Sequence, residues 1–186
     1  EAAINSGLPK GSIEFIEDTD RNFVKELLSM HGYIDCVIPR GGASLIKTVI
    51  ENSKIPVIET GVGNCHAYVE SSADQKMAQE IVFNAKVQRP SVCNAIETLL
   101  VDENISKEFL PVMLKKLGSA GVEIRGCEKT AAIYPKVIKA TEDDWADEYL
   151  DLILAVKVVS GIDEAIAHIT QYGSHHSEVI ITNDKL

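Results

Sequence analysis

Apolar and polar positions along the chain switch repeatedly between a two-residue and a helical repeat, which predicts strands alternating with helices in a parallel α/β sheet. Residues 12–16 (SIEFI) alternate, 21–30 carry helical periodicity, and 34–38 (IDCVI) read as a short apolar strand. The turn at 39–42 leads into a helix over 43–52, whose Leu45, Ile46, Val49 and Ile50 share one face, and 55–58 is again a strand. Beyond a glycine-containing turn at 59–63 come a strand around 67–69 and a helix over 73–87, which Ser72 or Asp74 can cap. Then follow a strand at 97–101, a helix over 106–120, a strand at 122–125, a loop over 127–139, a buried strand at 150–159, a helix over 162–170 and a last strand at 178–182.

Three quick βα units give way to longer helices at residues 58–63, so the domain boundary is placed there. Residues 1–58 read as the tail of a doubly wound nucleotide-binding domain, although no GxGxxG follows a strand and the motif itself supports no nucleotide site. Residues 59–186 form the second domain.

Composition narrows the function classes. The 186 residues include 28 acidic and 18 basic side chains, a net charge of −10. A phosphate-binding surface needs concentrated Lys and Arg, so nucleic acid is excluded as a partner and a small molecule is expected. The longest apolar stretch, 150–159, contains Asp151 and Lys157 and falls short of the roughly 20 residues of a membrane helix. Cys36, Cys65, Cys93 and Cys127 are widely spaced, with no CxxC pair and no clustered His, which predicts no metal site. Sparse thiols in a chain of this size fit a reducing compartment, the cytoplasm. The chain opens on Glu1 without a signal-peptide pattern and ends two residues after an Asn-Asp pair; it reads as a piece of something longer.

Four places could carry chemistry. Cys93, in RPSVCNA, lies between a helix end and a buried strand, where backbone N–H groups near Asn94 and Ala95 can face a developing oxyanion; against this, free cysteines usually serve as small core residues. The turn ETGVGNCH (59–66) gathers a carboxylate, an amide, a thiol and an imidazole beyond the carboxyl end of a strand. Equally, Gly61 and Gly63 can simply supply positive φ, with Glu59 solvated and His66 making one hydrogen bond. Arg40, Gly41 and Gly42 bring a cation and flexible backbone to a helix N-terminus, which suits an anion but also suits a plain turn. His175 and His176 are adjacent, so they cannot share one strand face as a metal pair.

Taken together, VIPRGG (37–42), PVIETGVGNCH (56–66), NAKVQRPSVCNAIETLLV (84–101), EYLDLILAVKVV (148–159) and YGSHHSEVIIT (172–182) resemble the γ-glutamyl phosphate reductase family, within the aldehyde dehydrogenase superfamily. The resemblance covers essentially the whole chain in the family's order. It implies an aldehyde dehydrogenase-like α/β fold, a parallel sheet with flanking helices. Residues 1–58 then end an NADP-binding domain and 59–186 form most of a catalytic domain, incomplete at its C-terminus. The implied reaction is NADPH-dependent reduction of glutamyl 5-phosphate to glutamate 5-semialdehyde and phosphate, in proline biosynthesis. Cys93 becomes the nucleophile that forms a thioester. Glu148 matches a superfamily carboxylate that holds the nicotinamide ribose, although Leu150 replaces the usual aromatic residue of that segment. Arg40, Gly41 and Gly42 join the cofactor set. Asn64, His66, Arg89, Asn94, His176 and Ser177 become candidate contacts to the substrate's carboxylate or phosphate. Glu59 falls where many aldehyde dehydrogenases keep a water-activating glutamate; a reductase gains nothing by hydrolysing its thioester, so Glu59 is expected to shape the site or to have no direct role.

Family members also carry an upstream half of the cofactor domain, with an oxyanion-hole asparagine, and a C-terminal segment that assembles subunits into a homo-oligomer. Neither is represented here, so the 186-residue piece alone is expected to bind NADPH poorly and turn over little. The alternatives are a dehydrogenase that oxidises semialdehydes with Glu59 as base, and a binding or assembly module without catalysis.

Overall fold

Residues 1–59 and 61–184 are described by the structure, a computed structural model. The chain divides into two compact units, Glu1–Thr60 and Gly61–Leu186. In the first unit, periodicity and structure agree on the helices: α2 spans Arg21–Leu27 and α3 spans Ala43–Asn52, with a short α1 at Ala2–Asn5. They disagree on strands. Segments 12–16, 34–38 and 55–58 make no ladder, only the single bridges His31 to Ile34 and Val37 to Val57. An apolar run becomes a strand only when a neighbour satisfies its N–H and C=O groups. Segment 12–16 shows the consequence, with Phe15 86% exposed.

In the second unit the apolar runs do find partners. Strands β1 (Cys65–Val69), β2 (Ile96–Asp102), β3 (Glu123–Gly126), β4 (Ile138–Lys139), β5 (Ile153–Val159) and β6 (Glu178–Ile181) form one six-stranded sheet in the order β4-β3-β5-β2-β1-β6. All neighbouring pairs are parallel. β2 is buried along its whole length, as strands covered on both faces must be, which explains its unbroken ETLLV run.

On one face lie α4 (Gln75–Val87) and α5 (Glu103–Ser119). Asp74 caps α4 by accepting from the Lys76 and Met77 N–H groups, and Asp102 caps α5 by accepting from that of Asn104. Caps of this kind contribute about 1 kcal/mol each. Ala78 and Val82 of α4 and Phe109, Leu110, Met113, Leu114 and Leu117 of α5 are fully buried against Leu99, Val101, Leu154 and Val156. Each large apolar side chain there contributes roughly 1.5–3 kcal/mol. The opposite face carries α7 (Ile162–Tyr172) over a smaller apolar cluster of Tyr68, Leu100, Val159 and Ala165.

The segment read as a loop, 127–139, instead holds α6 (Glu128–Ile133) and β4. Two contacts fix it. The Thr130 hydroxyl donates to the Val156 carbonyl, and Gly126 leaves room for Thr130 and Val137, since a Cβ there would lie 2.9 Å from a methyl of each.

Candidate active site

Parallel strands gather the loops that enter them at one edge. The segments before β1 (Gly63, Asn64), β2 (Cys93), β5 (Glu148 to Leu150) and β6 (His176, Ser177) therefore meet at the amino edge of the sheet. The carboxyl-end argument made from the sequence concerned the run at 55–58, which makes no ladder.

Cys93 is exposed, on a turn closed by the Ala95 N–H donating to the Val92 carbonyl at 3.0 Å. Its own carbonyl is held by two residues. Gly63 packs on it so closely that a Cβ would stand 2.0 Å from the Cys93 oxygen and 2.8 Å from its carbonyl carbon. Gly63 is not among the glycines with positive φ, so it is needed for close approach rather than for a left-handed turn. The buried Cys65 thiol donates to the Cys93 oxygen, Sγ to O 3.2 Å. Burial pushes the Cys65 thiol above its ordinary range, against the opposing effect of its Ser177 hydrogen bonds. Ser177 Oγ lies 3.1 Å from Cys65 Sγ and 3.1 Å from His176 Nδ1.

Glu148 Oε1 accepts from the Gly63 N–H at 2.8 Å. Two residues on, Leu150 adopts φ +54°, a backbone state costly for a leucine, and its N–H donates to Glu97 Oε1 at 3.2 Å. Glu97 Oε2 pairs with Lys86 Nζ at 2.5 Å, and both side chains are fully buried. Burial pushes the Lys86 ammonium down and the Glu97 carboxyl up, while the hydrogen bond between them opposes both shifts. Neither residue was singled out as functional from the sequence; the signal was a Lys on the inner face of α4 and a Glu inside the apolar run of β2.

The other candidates separate. Arg89, Asn94 and His176 are exposed near the nucleophile in sequence or in space. Asn64 and His66, two of the candidate substrate contacts, are both buried at the entry of β1. Asn64 is 2% exposed, and its amide donates to the Trp145 and Tyr172 carbonyls, both at 2.9 Å. His66 is fully buried; its N–H donates to Glu178 Oε2 at 2.6 Å and its ring lies edge-on to His168, 5.5 Å between centroids. Both residues tie the entry of β1 to its surroundings. His168 is pushed down to about 3, first by burial and then by Lys157 and His66. Arg40, Gly41, Gly42 and Glu59 belong to the first unit and are exposed, with Gly42 opening α3 without a side-chain cap. Among the described residues no group of His, Cys, Asp and Glu could hold a metal ion, and no helix is long and apolar enough to cross a membrane.

A thiol presented on a clamped turn at the edge of an α/β sheet is one element of this site; sequence comparison supplies its lineage. The family model for the aldehyde dehydrogenase family matches residues 1–183. The chain belongs to that family. Among relatives, it is 62% identical over 184 residues to the γ-glutamyl phosphate reductase of Caldanaerobacter subterraneus subsp. tengcongensis, covering 99% of this chain and 44% of that protein. It is 58% identical, with the same coverage, to the γ-glutamyl phosphate reductase of Clostridium kluyveri. The crystal structure of γ-glutamyl phosphate reductase from Thermotoga maritima superposes with a TM-score of 0.92 at 55% identity, over 99% of this chain and 44% of that one. An acetylating aldehyde dehydrogenase from Geobacillus thermoglucosidasius, 23% identical with a TM-score of 0.73 over 99% of this chain and 49% of that one, shares the fold. The aldehyde dehydrogenase-like α/β fold expected from the sequence is the one observed. The chain spans less than half the length of the aldehyde dehydrogenase family relatives it matches.

Proposed function

We propose that this chain supplies the nucleophile of a γ-glutamyl phosphate reductase, and that Cys93 is that nucleophile. The observation that carries the reading is an exposed thiol whose backbone carbonyl is fixed by Gly63 and Cys65, in a sequence 62% identical to a protein of that name. The Cys93 thiolate attacks the carbonyl carbon of the substrate's acyl phosphate. The carbon–oxygen bond to phosphate breaks, phosphate departs with the electron pair, and a thioester remains. The thioester matters because a carboxylate is a poor hydride acceptor, whereas a thioester carbonyl is electrophilic. Arg89 and Asn94 offer exposed donors for the substrate's anionic ends and His176 its Nε2, while the Ser177 hydroxyl is engaged with Cys65 and His176.

The residues present fit a nicotinamide cofactor. Glu148 commits Oε1 to the Gly63 N–H, which leaves Oε2 as an acceptor for a ribose hydroxyl. In the first unit, the uncapped start of α3 at Gly42, with Arg40 and Gly41 before it, offers first-turn N–H groups and a cation to a phosphate. NADPH, the cofactor proposed, supplies hydride to the thioester carbonyl when bound. Glu59 is assigned a shaping role. The whole protein is proposed to be a cytoplasmic homo-oligomer, and the 186-residue chain alone to turn over NADPH little.

Competitive alkylation with iodoacetamide, read peptide by peptide, tests the nucleophile. Cys36 and Cys93 are both exposed, so access does not distinguish them. Activation predicts that Cys93 reacts faster than Cys36 and is protected by an acyl phosphate. Equal rates without protection refute the assignment.

A further inference from the structure

We propose that Cys65 is a positioning residue: its protonated thiol fixes the Cys93 carbonyl and joins the nucleophile's turn to the Ser177 segment. The inference deepens the assignment of Cys93 and rests on it for its catalytic meaning alone.

Four contacts link these groups, since His176 Nδ1 also lies 3.7 Å from Cys65 Sγ, and one arrangement of protons satisfies all of them, with the Nδ1–H facing both the Ser177 oxygen and the sulfur. A thiol carries one hydrogen. The Cys65 S–H is used toward the Cys93 carbonyl oxygen at 3.2 Å, so in the Cys65 to Ser177 contact at 3.1 Å the hydroxyl must be the donor and the sulfur the acceptor. The Ser177 hydrogen is then spent, so in the 3.1 Å contact with His176 the ring Nδ1–H donates to Ser177 Oγ. The series therefore runs from the imidazole through hydroxyl and thiol to the carbonyl, and each heteroatom donates once. It also fixes the His176 tautomer, leaving Nε2 as an acceptor when the ring is neutral.

The surroundings suit a thiol that keeps its proton. Cys65 is 2% exposed, and its burial favours the neutral form. The ladder between β1 and β2 shifts register between Cys65 and His66, a local irregularity that re-aims side chains at the entry of β1. Gly63, anchored by Glu148, packs against the same carbonyl. The Cys93 carbonyl is thus gripped by a thiol donor and by a residue that can bear no side chain. At the outer end of the series, His175 sits at φ +59° immediately before His176. A carbonyl oriented this way fixes the peptide plane that follows the nucleophile, and with it the Asn94 N–H. A shift of even 1 Å in that turn can cost about a hundredfold in an oriented reaction.

The test uses the 186-residue chain with Cys65→Ala, Cys65→Ser and Ser177→Ala. Two quantities are read: amide hydrogen exchange of a peptide covering 88–96, and acylation of Cys93 by acetyl phosphate, followed by mass. Cys65→Ala is expected to speed exchange of the 92–95 amides about tenfold, the effect of losing one hydrogen bond. Exchange within the buried β2 strand should stay unchanged, and acylation should slow by tenfold or more. Cys65→Ser, which keeps a donor, should return both readings to within about threefold of the parent, and Ser177→Ala should fall between. Unchanged exchange in the 92–95 turn overturns the proposal. So does faster exchange throughout the sheet, or a serine variant no better than alanine, because either marks a purely structural role. If Cys65→Ala does not fold, Ser177→Ala and Cys65→Ser decide. A parent chain that acetyl phosphate fails to acylate sinks the nucleophile assignment, while the exchange readings still judge the positioning role.

Discussion

Replacing Lys86 by Met tests the buried pair behind the site. Methionine keeps most of the lysine's volume, so the packing change is small. The electrostatic change is large. Glu97, fully buried, loses the ammonium 2.5 Å away and retains only the Leu150 N–H at 3.2 Å. Removing one partner of a buried pair costs about 3–5 kcal/mol. The buried carboxyl can escape part of that by taking a proton, since burial pushes it up and the lost ammonium no longer opposes the shift, which opens a pH window above its unfolded value. The folded variant then holds a proton that the unfolded chain does not, so its stability falls as pH rises through that window. From pH 5 to pH 7 the added loss is about 2.7 kcal/mol, from about 1.36 kcal/mol per unit. Urea unfolding followed by the fluorescence of the lone tryptophan, Trp145, buried in the same unit, measures it against the parent chain. Lys86→Met with Glu97→Gln should abolish the pH slope. A Lys86→Met deficit that is the same at pH 5 and pH 7 refutes the reasoning.

Two further substitutions probe neighbouring contacts. Gly63→Ala would drive a Cβ to 2.0 Å from backbone that cannot rotate away; a loss of about 1–3 kcal/mol is expected, together with slower Cys93 acylation, and an unaltered urea midpoint and rate would show that the approach is looser than described. Asp144→Asn removes a carboxylate held at about 2: burial works against its ionisation but is outweighed by the hydrogen bonds from Arg125, Thr141 and Tyr149. Because this folded value lies below the unfolded one, the stabilisation is present above about pH 4 and fades as pH falls toward 2. The variant should be about 2 kcal/mol less stable at pH 7 and converge on the parent near pH 2; a gap that persists there contradicts the assignment.

Burial on two faces made the second unit legible. Runs such as ETLLV and ILAVKVV have few alternatives to a covered parallel strand, and of the two caps the sequence offered for α4, Ser72 and Asp74, the structure uses Asp74. The same rule failed in the first unit, where apolar runs of similar length form only single bridges. Periodicity reports which face of a segment seeks cover and says nothing about whether a neighbouring strand is there to supply hydrogen bonds. The opposite error at 127–139 has a related cause: α6 and β4 are short and are fixed by tertiary contacts through Thr130 and Gly126, which local pattern does not carry.

The candidate site was legible in its residue types more than in their roles. Cys93 stood out through family resemblance, but the residues that hold it are 28 (Cys65) and, acting through Cys65, a further 112 (Ser177) positions from their partners, and Glu148 reaches Gly63 across 85. Those distances collapse only once the strand order β5-β2-β1-β6 is known, because it sets the entry loops of these four strands side by side. Asn64 and His66 show the limit from the other direction. A polar pair beside a glycine turn looks like ligand chemistry, yet both side chains are buried and backbone carbonyls have taken the Asn64 amide. Polar residues that enter a parallel sheet at its edge must first satisfy the chain ends that meet there. Side chains left exposed, here the Cys93 thiol, Arg89, Asn94 and His176, remain for a substrate.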